Sequence, residues 1–112
     1  MIESPLSQLR KEIIHQKTAH LDEPSHCPLC IRAYEQFQAY AAFVTQHSIE
    51  ALQGNPQAEN YPHWKDLEEA MEELRASLAP EDMRFYRLLQ NAKQRLDTIL
   101  ALIHTIAQEG KS

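Results

Sequence analysis

His15, His20, His26, Cys27 and Cys30 fall within 16 residues and form the densest group of soft and borderline metal ligands in the chain. The Cys27-Pro28-Leu29-Cys30 turn allows two thiolates to reach one tetrahedral ion, and two imidazoles would complete a Cys2His2 zinc site. His20 is the best-placed third ligand. His15 lies five residues earlier, about 140° around a helix, so both imidazoles reach one ion only where the helix loosens. His26 is a substitute ligand, although its adjacency to Cys27 tends to point it away. A further donor, Glu81 or Asp82, would come from the third-to-fourth helix connection, which an up-down bundle brings to the same end. The cofactor expected here is one structural zinc that pins the first helix to the second.

The same pair also has a redox reading. A thiol at a helix start is exposed to free backbone amides that favour the thiolate, so Cys27 would attack and Cys30 would resolve. A thioredoxin-like motif follows a strand, and no strand pattern precedes Cys27. The plainest alternative is two ordinary thiols, with Cys30 packed beside Ile31 and Tyr34 in the core.

Other groups carry weaker chemistry. His47, His63 and His104 should meet at the opposite pole of an up-down bundle, where three imidazoles could hold a metal with an open position. Glu68, Glu69, Glu72 and Glu73 form an acidic face on the third helix. Beside them stand Tyr61 and Trp64, residue types that anchor interfaces. The competing reading of Trp64 is a large residue closing the core. Arg84, Arg87, Lys93 and Arg95 give the fourth helix a basic flank that could face nucleic acid. No HExxH, Walker loop, nucleophile elbow or facing Glu-x-x-His pair occurs. A binding module is therefore expected rather than an enzyme.

These residues need elements to position them, and the pattern supplies four helices. Ser4-Pro5 opens the first, with Leu6, Leu9, Ile13 and Ile14 on its apolar side. The second starts at Pro28 and repeats apolar residues through Tyr34, Phe37, Ala41 and Val44, widened by Tyr40 and Phe43. Gln53-Gly54-Asn55-Pro56 stops it. The third carries Trp64, Leu67, Met71, Leu74 and Leu78. The fourth carries the strongest period, from Met83 through Leu89, Leu96, Ile99 and Ile103 to Ala107. The expected ranges are about 5–20, 28–52, 63–78 and 81–109 in a single domain spanning 1–112. No segment alternates with the two-residue period of a strand.

The 112 residues suffice for one core without staples. With 16 acidic and 11 basic residues the net charge is −5, which lowers the expectation of nucleic-acid or anionic-membrane binding. Two cysteines are too few for a secreted disulfide scaffold, and neither a signal peptide nor a membrane-length apolar run is visible. The sequence thus predicts an all-α bundle of three to four helices, cytoplasmic, acting as an adaptor or inhibitor toward another protein. The long helices could alternatively pair two chains as a homodimer.

Overall fold

The computed structural model describes residues 4–18, 27–77 and 79–109, and of 15–18 the backbone alone. It is an up-down bundle of four helices: α1 (Pro5–Thr18), α2 (Pro28–Leu52), α3 (Trp64–Arg75) and α4 (Pro80–Glu109). No strand occurs among the described residues. The 30 residues of α4 rise about 45 Å at 1.5 Å each, close to the molecule's 48 Å long dimension. The two long helices α2 and α4 pack on each other. The shorter α3 lies mainly against α2, and α1 mainly against α4. No helix among the described residues is long and apolar enough to cross a membrane.

Each helix begins and ends for a local reason. Ser4 caps α1 by accepting the Ser7 amide on Oγ at 3.2 Å, with Pro5 at the first helical position where a missing N–H costs nothing. Leu9 is fully buried, and Leu6 and Ile13 pack beside it. Ile14, expected on the same side, is 64% exposed, because one residue is about 100° of rotation and only Ile13 faces the core.

Cysteine replaces the usual serine or aspartate as the α2 cap. Cys27 is extended (φ −97°, ψ 113°), and its sulfur accepts the Cys30 amide. The buried stripe of α2 is Cys30, Ala33, Phe37, Tyr40, Val44, His47 and Ala51. Phe37, Tyr40 and Val44 of the expected apolar side belong to it, whereas Tyr34 and Ala41 are only partly buried. The helix ends in a Schellman motif. The Asn55 amide reaches the Glu50 carbonyl at 2.9 Å and the Gly54 amide reaches that of Ala51 at 3.1 Å, with Gly54 at φ +88°.

Leu67, Ala70, Met71 and Leu74 bury one side of α3, which stops at Arg75, three residues short of the expected end. The Ala76 and Ser77 amides close its last carbonyls, and Pro80 then opens α4 at its first turn. Leu78 lies outside the described residues. Leu89, Leu96, Ile99 and Ile103 complete the core from α4. Tyr40 joins α2 to α4 by donating its hydroxyl to Asp97 Oδ1 at 2.6 Å, while Lys93 holds the other oxygen at 3.0 Å.

Candidate metal centre

The start of α2 and the corner between α3 and α4 meet at one pole. Cys27 Sγ donates to Asp82 Oδ1 at 2.9 Å, and Cys30 Sγ approaches the same oxygen at 3.6 Å. Ser77 Oγ donates to Asp82 Oδ2 at 2.6 Å and also accepts the Ala79 amide at 3.3 Å. Asp82 is therefore gripped on both oxygens, one by the cysteines and one by the corner. Local sequence explains the placement. Cys27 must lie at the cap because Pro28 opens the helix, and Cys30 then falls one turn later on the core stripe. Asp82 sits in the first turn of α4, where a carboxylate is favoured.

One sulfur from each cysteine and one Asp82 oxygen all lie within 4.8 Å of one another. Ligand atoms around a tetrahedral zinc stand roughly 3.5–4 Å apart, so a small rotation of each side chain suffices to close on an ion. Zinc accepts the donor set of two thiolates and a carboxylate. The Cys30 amide aimed at Cys27 Sγ from 3.2 Å and the positive end of α2 both favour a bound thiolate. Among the described residues this is the one group of three ligating side chains with such proximity.

Electrostatics set Cys30 apart from a reactive thiol. Burial first, then the Cys27 hydrogen bond and charge, and then Asp82, push the Cys30 thiol well above its ordinary range. A metal-free Cys30 thus keeps its proton, the opposite of what fast thiol exchange requires. Hydrogen bonds from Cys27 and Ser77 hold the Asp82 carboxyl below the usual carboxylate range, against the opposing effect of partial burial. Both cysteines are unpaired thiols.

Of the other expected ligands, His20 and His26 lie outside the described residues, as does the side chain of His15. In the described part the site ties α2 to the α3–α4 corner, whereas the sequence pattern suggested a tie between α1 and α2. Of the two acidic candidates at that corner, Asp82 turns inward and Glu81 is exposed. Ser77 was not singled out from sequence. Its one signal is a hydroxyl at the end of α3 with a proline three residues on.

The remaining candidates separate. His47 and His104 reach the opposite pole as expected, but each bonds to Glu59 instead of facing a common point. His63 stays on the surface, 3.8 Å from Asp66. Tyr61, expected to anchor a partner, is buried at 7% exposure, its ring 5.0 Å from Tyr40 and 5.2 Å from Phe43. The 57–61 segment, between Pro56 and Pro62, runs back over α2, with Glu59 bonded to His47. Trp64, read alternatively as a core cap, is 49% exposed at the first position of α3.

The acidic face is partly neutralised. Glu72 chelates Arg75 and Glu73 pairs with Arg32 across to α2. Glu68 and Glu69 are exposed and enter no ion pair among the described residues. The basic residues do not form one patch. Arg84 and Arg87 border a shallow hollow with Met83 and Leu88, Arg95 borders another beside Glu12, and Lys93 is turned toward Asp97 and the Tyr40 ring.

Between α3 and α4 runs an open groove of 540 Å³ with Glu68, Glu69 and Glu72 on one wall and Tyr86, Lys93 and Asp97 on the other. Met71 lies in it. A recess of 240 Å³ continues it past Glu68 to Tyr61 and Trp64. Compared with protein-family models, with curated proteins and with solved structures, the chain finds no match.

Proposed function

We propose that this protein is a non-enzymatic protein-interaction module whose α2/α3–α4 pole is fixed by one structural zinc ion, and that its α3–α4 groove receives a basic amphipathic segment of another protein. The observation that carries the reading is the convergence of Cys27, Cys30 and Asp82 at the corner from which both groove walls depart. A metal there replaces two thiol protons and converts the two thiol–Asp82 hydrogen bonds into coordinate bonds that clamp segments distant in sequence. The groove supports a basic partner because Glu68 and Glu69 leave it with surplus negative charge, while Met71, Tyr86 and Trp64 offer apolar and aromatic surface.

Metal content of the natively purified chain tests the first half, with cobalt substitution to read out thiolate coordination. One zinc per chain is expected, with thiols masked until chelation. One zinc per two chains would mean that two copies share an ion. Cys27→Ser and Asp82→Asn should each lower zinc affinity at least about tenfold, and Ser77→Ala about tenfold by freeing the Asp82 carboxylate to turn. Freely titrating thiols with no metal uptake would remove the zinc. Trp64 fluorescence during titration with an arginine- and leucine-rich peptide tests the second half. Glu68→Gln with Glu69→Gln should weaken binding severalfold and flatten its salt dependence. An indole signal that is silent at every salt concentration would remove the groove.

A further inference from the structure

The acidic wall of the α3–α4 groove has a counterpart on the same chain. Pro80, Met83, Arg84, Arg87 and Leu88 line a shallow hollow of 410 Å³ on α4. Met83 is 42% and Leu88 is 51% exposed, two large apolar side chains left in water beside two guanidinium groups. Neither Arg84 nor Arg87 enters an ion pair among the described residues. No described helix lies over this face. The 14 residues of α1 cover only part of the 30 of α4, and Glu12 of α1 meets α4 further along, beside Asn91, Gln94 and Arg95. The first turns of α4 thus present a basic, partly apolar helix face in a chain whose net charge is −5.

We infer that two copies of the chain pair by placing this α4 face of each in the α3–α4 groove of the other, Arg84 and Arg87 against Glu68 and Glu69. The pairing rests on the groove being a docking surface for basic helices, and it gives that groove an occupant within the protein itself. Charge matches on both sides. Glu68 and Glu69 are the groove carboxylates without a cation, since Glu72 holds Arg75 and Asp97 holds Lys93. Arg84 and Arg87 are the cations without a carboxylate. Apolar surface matches too: Met83 and Leu88 flank the arginines, and Met71 and Tyr86 lie in the groove. Length also agrees. Trp64 to Glu72 along one wall and Pro80 to Leu88 along the basic face each span eight residue steps, about 12 Å of helix at 1.5 Å per residue.

The two surfaces are distinct but adjacent. Tyr86 lines the groove and Arg87 the hollow, and neighbours on a helix stand about 100° apart. A two-fold axis placed between such surfaces exchanges them. Each copy then gives its basic face and receives the other's, and the association closes at two chains instead of continuing as a filament. The contact is small, which makes the pair a weak one, and its charges set the choice of partner more than the strength. A longer basic helix from another protein would compete for the same wall.

Sedimentation velocity of the full chain over a range of concentrations measures the pairing, and a reversible monomer–dimer equilibrium is expected. Raising salt from about 0.1 M to about 1 M shortens the screening length from about 10 Å to about 3 Å and should weaken the dimer about tenfold. Arg84→Glu with Arg87→Glu should leave the chain monomeric, and so should Glu68→Lys with Glu69→Lys, because like charges then face each other. The two variants mixed should pair with each other, since both contacts again join opposite charges. All four positions are exposed, so the reversals spare the core, and regained pairing shows that both variants fold. A chain that stays monomeric at every concentration would overturn the inference. So would a dimer that survives either reversal, or a mixture that stays monomeric. The arginine- and leucine-rich peptide keeps this result apart from the groove itself: peptide binding seen by Trp64 on a chain that never pairs retains the groove and removes the second copy. Where the chain does pair, the peptide should dissociate it, and peptide bound to an intact dimer would overturn the proposed contact.

Discussion

Tyr40 shows how one buried hydroxyl acquires a pH-dependent share in stability. Burial first, and then its hydrogen bond to Asp97, push the phenol well above its ordinary range. In the unfolded chain a tyrosine loses its proton at a pH of about 10. Above that pH the unfolded state binds fewer protons than the native one, so stability falls as pH rises further. Equilibrium denaturation between neutral pH and pH 11 should show this decline. Tyr40→Phe should reduce it without abolishing it, because burial and Asp66 also raise Tyr61. At neutral pH the same variant should lose about 2 kcal/mol, the value of a hydrogen bond to a charged acceptor. At this scale the sequence was informative about residue type and weak about orientation. Cys27 and Cys30 stood out by spacing, whereas Asp82 could not be separated from its neighbour Glu81 until the corner gave one of them a direction. Tyr61 looked like an interface anchor because aromatic side chains in polar loops often are. Its burial depends on the path of the 57–61 segment across α2, which no local pattern encodes.

The helices show which local signals are strong enough to act alone. Gly54 ends α2 because its left-handed backbone lets two amides turn back onto the last carbonyls, and nothing lies within 4 Å of the place its side chain would occupy. The requirement is thus backbone conformation and not space. Gly54→Ala should cost about 1 kcal/mol through φ strain, read as a lower denaturant midpoint with an unchanged slope. The start of α2 was equally legible, since proline at the first helical position dictates where the cap must be. The end of α3 was less so. Continued apolar spacing to Leu78 suggested another turn, but the helix stops at Arg75, and Ser77 and Pro80 make the corner that presents Asp82.

For the whole molecule, the cysteine pole joins segments some 50 residues apart, so loading it should act on global stability. Zinc at a free concentration 100 times its dissociation constant contributes about 2.7 kcal/mol. For a domain of this size that is about 10 °C in melting temperature, measurable by calorimetry with and without chelator. The Asp82→Asn variant, with an affinity about tenfold lower, should keep about half of this gain at the same zinc concentration. The all-α architecture, the positions of four helices and the identity of the cysteine pair were determined by sequence alone, because helical period, proline and glycine act over a few residues. Three matters were decided only by tertiary structure. Asp82 and not Glu81 is the pair's partner, α1 rests chiefly on α4, and Glu59 closes over His47. Each depends on how helices distant in the chain are rotated and set against one another. That rotation is fixed by the packing of Leu9, Val44, Leu74, Leu89 and Ile103 together, a collective property that no single segment carries.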